Sequence, residues 1–234
     1  MVVGTSSLES DGMLVLASAS PRRQELLRNA RIPFVVQAAD IDEQFRDGEP
    51  ARDCAERLAR EKALAVAQIR PEDHVLGADT IVVVDANILG KPRDAADAAR
   101  MLRLLSGRVH EVITGVCISG AVASKSKPHT TPRLESVEGQ LSTGNRQLAT
   151  GSEITLVTMN KLSEEDIREY VGTGEPMDKA GAYAIQGLAS RFIPRIDGSY
   201  SNVVGLPVAC VVELLASLEE RGYSDSSHFS RKSL

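Results

Sequence analysis

The chain has 234 residues, 42% of them hydrophobic and 25% charged, with a formal charge of −5. That is the texture of a soluble globular protein with room for one large or two small domains. The acidic balance speaks against a nucleic-acid partner, and no apolar run reaches membrane-spanning length. Three scattered cysteines, without a CxxC pair, fit free thiols in the cytoplasm better than a disulfide scaffold or zinc site.

Residues 1–12 have no basic segment ahead of an apolar core and read as a flexible tail, not a secretory signal. Leu14–Ala17 reads as a strand that breaks at small hydroxyl residues. Pro21, favoured at a first helical position, then opens a helix to about Asn29. A short strand follows near Phe34–Ala38, and a long helix runs from about Ala51 to Ile69, ended by Pro71. HVLGADTIVVVDANILGKP (74–92) reads as two strands about a tight turn at Asp85–Asn87. RDAADAARMLRLLSG (93–107) is a helix that Asp94 caps, Asp97 favours and Gly107 stops. HEVITGVCISG (110–120) alternates as a half-buried strand does.

From Ala121 to about Ser152 the composition turns to Ser, Thr, Lys, Pro, Gly and Asn, which predicts an inserted loop or hairpin extension. EITLVTMN (153–160) restores a strand, and in SEEDIREYV (163–171) Ser163 and Asp166 pair as a helix capping box. The Gly-rich GTGEPMDKAGAYAIQG (172–187) precedes a last helix from about Pro207, and 224–234 reads as a second tail. Strands alternating with helices predict an α/β fold, a single domain with two lobes.

Some residues break local rules. Arg22 and Arg23 stand on the first turn of a helix, where the dipole disfavours cations. Either they are solvated, or a phosphate sits before them at the free N–H groups of that turn. Ala55, Leu58, Lys62, Ala65 and Ile69 step along one helical face, so Lys62 lies in an apolar stripe. It either snorkels outward or meets a permanent anion. Asp79 interrupts an Ile/Val-rich strand, where an ionised carboxylate needs a counter-charge, a metal or backbone donors. Gly77, on the same face, leaves open space beside it.

Lys91 sits between Gly90 and Pro92, a position equally suited to a solvated turn. Asp40, Asp42 and Glu43 form an acidic cluster, either a solvated loop or a source of hard oxygen ligands for Mg²⁺. Gln186 offers an amide that could read a base edge.

In this order the motifs resemble the Maf family of nucleotide pyrophosphatases. They are ASASPRRQELL, IDEQ, RLAREKA, LGADTIV, GKPRDAADAARML, SGRVHEVITGV, EPMDKAGAYAIQG and GSYSNVVGLP, and they span about residues 13–215. The resemblance implies an elongated mixed sheet with flanking helices and two lobes around a cleft, akin to inosine triphosphate pyrophosphatases. It also implies hydrolysis of a nucleoside triphosphate to the monophosphate and pyrophosphate.

By the same resemblance Ser18, Arg22, Arg23, Lys62 and Lys91 are substrate-side residues. Glu43 and Asp79 are the acidic pair that would hold Mg²⁺, with Mn²⁺ or Co²⁺ as alternatives, and Asp79 is the proton acceptor. Arg22, Thr80 and Gln186 match the family branch acting on dTTP and UTP, not the branch acting on 7-methyl-GTP. A homodimer is left open. The rival readings are a non-catalytic nucleotide-binding regulator of cell division and a pyrophosphatase preferring modified purine triphosphates.

Overall fold

Runs of Val, Ile and Leu in three long strands set the frame. The structure, a computed structural model, describes residues 13–120 and 146–227, with side chains described to residue 220. In chain order the elements are β1 (Leu14–Leu16), α1 (Pro21–Asn29), β2 (Val35–Val36), α2 (Ala51–Ile69), β3 (His74–Val84), β4 (Asn87–Leu89) and α3 (Ala95–Leu105). There follow β5 (Val109–Gly120), β6 (Gln147–Thr158), α4 (Glu164–Gly172), short 3₁₀ turns between Glu175 and Phe192, β7 (Arg195–Asp197), α5 (Tyr200–Val204) and α6 (Val208–Ser227).

Seven strands form one mixed sheet in the order β2-β1-β3-β5-β6-β7, with β4 added to β3. β1 is parallel to both its neighbours, and the remaining pairs are antiparallel. The α/β reading holds. Among the described residues no helix is long and apolar enough to cross a membrane.

Two boundaries move. Gln147–Ser152, read from composition as part of an insertion over 121–152, is strand and pairs with Gly120–Gly115. The neighbours supply what the local pattern lacks. Gly151 lies against Cys210 and Leu214 of α6, so this polar stretch of β6 is ordered by packing rather than by alternation. At the other end α6 continues to Ser227, so 224–227 is helix and not tail. Residues 1–12, 121–145 and 228–234 lie outside the described residues.

The α2 face also differs from its predicted stripe. The buried side chains are Cys54, Ala55, Arg57, Leu58, Ala59, Lys62, Ala63, Val66 and Ala67. Ile69 is 63% exposed. The reason is a close approach of backbone to sheet. A Cβ on Gly77 would stand 2.1 Å from the Ala59 carbonyl oxygen, and one on Gly115 2.3 Å from that of Ala55. The space beside Asp79 that the sequence suggested is therefore filled by the helix itself.

Alternation along β3 divides its side chains between two faces. Val75, Cys117 and the alanines of α2 make the core on one face. On the other, Leu76 and Ala78 join Leu27 of α1, Leu206 just before α6 and Val211 of α6. Further along that second face Val82 and Val84 belong to a separate core with Leu102 of α3, Tyr170 of α4 and Tyr183. These two cores are the two lobes.

The cleft between them follows from strand pairing. On one edge of β3, β1 pairs with His74–Leu76 and β4 pairs with Val82–Val84, while β5 takes the other edge. Among the described residues, no strand pairs with 77–81 on the first edge. Side chains from both faces of the sheet can reach one cavity around that open edge, and Asp79 and Thr80 both do.

Candidate active site

A cleft of about 910 Å³ opens at this gap, and Ser18, Arg22, Arg23, Glu43, Lys62, Asp79, Thr80, Lys91 and Gln186 all line it. The sequence singled out each of them, and the fold brings them to one cavity rather than to unrelated faces.

At its floor Lys62 points from α2 toward β3. Its Nζ lies 2.5 Å from Asp79 Oδ1 and 2.8 Å from Glu43 Oε1. Lys62 and Asp79 are 7% and 6% exposed, so the snorkelling alternative falls away and the ammonium is the counter-charge that Asp79 requires. Gly115 stands directly opposite Asp79 in the β3–β5 register, and with Gly77 it lets α2 settle close enough for this contact. Burial pushes the Glu43 carboxyl up. The hydrogen bond and charge of Lys62, with Lys91 and Arg23 behind it, outweigh that and hold it below the usual carboxylate range.

Glu43 reaches the site from a loop that a second buried cation secures. Arg57 donates to both carboxylate oxygens of Glu49 at 2.7 Å, to the Gln44 carbonyl at 3.0 Å and to Glu61 at 3.2 Å. Its guanidinium is raised above its ordinary value, first by the Glu49 hydrogen bond. Sequence reasoning missed Arg57, although an arginine four residues before Glu61 and eight after Glu49 was a readable signal. Of the acidic cluster only Glu43 faces the cleft; Asp42 accepts from Gln44 Nε2 at 2.6 Å.

The two adjacent arginines part company. Ser20 caps α1 by accepting from the Arg23 N–H, and Pro21 occupies the first turn. Arg23 then acts as a strut: Nε donates to the Gly205 carbonyl at 2.8 Å, and its Nη atoms to Ser18 Oγ and Thr80 Oγ1, both at 3.1 Å. Burial lowers its guanidinium, opposed by the charges of Asp79 and Glu43. Thr80 Oγ1 also lies 3.0 Å from Thr114 Oγ1.

Arg22 turns instead to Asp178, at 3.0 Å. Asp178 also lines the cleft, and the sequence did not show its role, since 156 positions separate the pair. Lys91 is 61% exposed and lies 3.7 Å from Glu43. Gln186 is exposed on the wall, next to Gly187.

Among the described residues no group of three or more His, Cys, Asp or Glu could hold a metal ion by itself. Asp79 and Glu43 do converge on one cation, Lys62. Two hard carboxylates so placed could hold a divalent ion only with further ligands from outside the protein. The three cysteines are free, with Cys54 and Cys117 buried and Cys210 half-buried.

Comparison with known proteins identifies relatives of this chain. The profile of a family described as "Maf-like protein" matches residues 13–218. A protein of Koribacter versatilis (strain Ellin345) named dTTP/UTP pyrophosphatase is 52% identical over 202 residues, 86% of this chain and 92% of its own. Relatives with the same name occur in Geobacter sulfurreducens (strain ATCC 51573 / DSM 12127 / PCA), 50% identical over 86% of this chain and 94% of its own, and in Syntrophomonas wolfei subsp. wolfei (strain DSM 2245B / Goettingen), 48% identical over 86% and 95%.

Proposed function

Because the chain belongs to the Maf-like protein family, we infer that it is a nucleoside triphosphate pyrophosphatase, with dTTP and UTP as its substrates. Its name-bearing relatives support the activity. The observation that carries the reading to particular residues is the buried Glu43–Lys62–Asp79 cluster at the floor of a cleft walled by basic side chains.

In the proposed reaction the oxygen of a water joins the α-phosphorus as the bond to the β-phosphate bridge breaks. Pyrophosphate leaves, and the water's proton passes to the Asp79 carboxylate. Positioning and charge neutralisation supply most of the rate in such transfers. Arg22, through its guanidinium and its N–H at the opening of α1, and Lys91 hold phosphate oxygens, and Lys62 adds its charge from below. Arg23 contributes charge while its hydrogen bonds keep Ser18 and Thr80 in place.

Asp79 and Glu43 would hold Mg²⁺, or Mn²⁺ or Co²⁺, together with phosphate oxygens. The ion, when bound, supplies charge neutralisation and polarises the phosphorus–oxygen bonds. Gln186 presents its amide to the base edge, and free thiols suit a cytoplasmic enzyme.

The test is pyrophosphate release from dTTP, UTP, CTP, ATP and GTP, with Mg²⁺ or with EDTA. We expect turnover of dTTP and UTP, loss of it in EDTA, and a fall of at least about two powers of ten in kcat for Asp79→Asn with folding retained. Near-full turnover by that variant rejects Asp79 as the base. Tight nucleotide binding without any pyrophosphate release favours the regulator instead.

A further inference from the structure

Arg22 does not hang free in the cleft. Its Nη1 donates to Asp178 Oδ2 at 3.0 Å and its Nη2 to the Asp178 main-chain oxygen at 3.4 Å. The other carboxylate oxygen accepts from Lys179 Nζ at 2.5 Å, and the same ammonium donates to the Glu175 carbonyl at 2.6 Å. The Lys179 side chain is only 13% exposed, so Asp178 leans on an anchored donor.

Glu175 braces the rest of the segment. Its carboxylate accepts from the Tyr170 hydroxyl at 2.8 Å and from the Leu188 N–H at 3.0 Å. It also fills the space a Cβ on Gly187 would need, 2.3 Å from that position. Gln186 is thereby held inside a segment tied at both ends.

The two partners come from different lobes. Arg22 stands on α1, whose Leu27 packs with β1 and α6, whereas Met177 and Ala180 beside Asp178 pack against the core of α3 and α4. One carboxylate thus spans the cleft and links the wall bearing Gln186 to the helix bearing Arg22. An arginine on a flexible stem loses rotamer freedom on meeting a ligand, and holding it beforehand removes that penalty.

We propose that Asp178 is a positioning residue for substrate selection, fixing the Arg22 guanidinium in register with Gln186 before a pyrimidine nucleoside triphosphate arrives. The proposal rests on the triphosphatase reading of the cleft. Asp178 stays ionised in this role. Burial pushes its carboxyl up, but hydrogen bonds from Lys179 and Arg22 outweigh that and hold it low.

The test is steady-state kinetics on dTTP, UTP and GTP for wild type, Asp178→Asn, Arg22→Ala and the double variant. KM for dTTP and UTP should rise about tenfold in Asp178→Asn with kcat within about threefold, and the preference over GTP should shrink. In the Arg22→Ala background the same change should add nothing, because the two residues act as one unit. An unchanged or lowered KM, or effects that simply multiply in the double variant, overturn the proposal.

If Asp178→Asn does not fold, Asp178→Glu keeps the charge displaced by one methylene. Its KM must still rise, and Arg22→Ala must still cancel the rise. A wild type that releases no pyrophosphate from any triphosphate removes the functional reading itself. An active, selective wild type beside an unchanged Asp178→Asn removes this proposal alone.

Discussion

Lys62 has two acidic neighbours, so replacing it does more than remove the phosphate contact proposed for it. Lys62→Met leaves Asp79 and Glu43 facing each other without the cation between them, and breaking a buried pair in this way costs about 3–5 kcal/mol. Urea unfolding at pH 8 should show that loss. His110 provides a pH effect on stability. Burial brings its imidazole down to about 4 from 6.5, while its Nε2 lies 2.8 Å from the Tyr183 hydroxyl. Between those two values the unfolded chain binds the extra proton. The stabilisation is therefore complete above pH 6.5 and drains away as pH falls toward 4, by about 3 kcal/mol in all. A His110→Gln variant should lose that portion of the acid sensitivity in urea titrations.

At the scale of elements, α2 is placed by what β3 and β5 lack. Gly77→Ala puts a methyl group 2.1 Å from the Ala59 carbonyl, so either the helix moves off the sheet or the strand bends. We expect a loss of about 3 kcal/mol or more in denaturant unfolding. Activity should fall along with it, since Lys62 and Asp79 face each other across the same contact. The sequence pointed to Gly77 and to Asp79, because a carboxylate and a glycine in an Ile/Val run are visible anomalies. It did not show that the helix backbone would fill the gap, because the contact is made by main-chain atoms that all residues share. Helix stops and caps were likewise legible: Asp94 caps α3 and Ser163 pairs with Asp166 at α4, as their spacing predicted. Gln147–Ser152 was not, for its strand conformation is imposed by β5 and α6 and leaves no periodicity in the residues themselves.

At the scale of the whole molecule, two of the cores on one face of the sheet are joined by continuous strands, with the cleft at the seam. Anything that binds there and not to the unfolded chain raises apparent stability by mass action. Asp79→Asn, with Mg²⁺ and dTTP at about 100 times its Kd, should gain about 2.7 kcal/mol. That corresponds to a rise of roughly 5–10 °C in Tm at this chain length. Thymidine, which lacks the phosphates, should leave Tm in place, and a shift of equal size with thymidine would contradict a polyanion site. Burial and charge on single segments, together with the family motifs, were enough to single out nine of the residues that line the cleft. The Arg22–Asp178 link was beyond such reasoning, because it arises only when the lobes are folded against each other.

Among the described residues, the edge of β3 opposite β5 carries no strand at 77–81, and this has one more consequence. A bare strand edge on a protein surface invites another chain to add to it, the usual route to aggregates. Here β1 and β4 flank the vacancy on either side, so a foreign strand would have to displace native neighbours to extend along it. The fold thereby keeps an edge available to something the size of a nucleotide while denying it to a polypeptide.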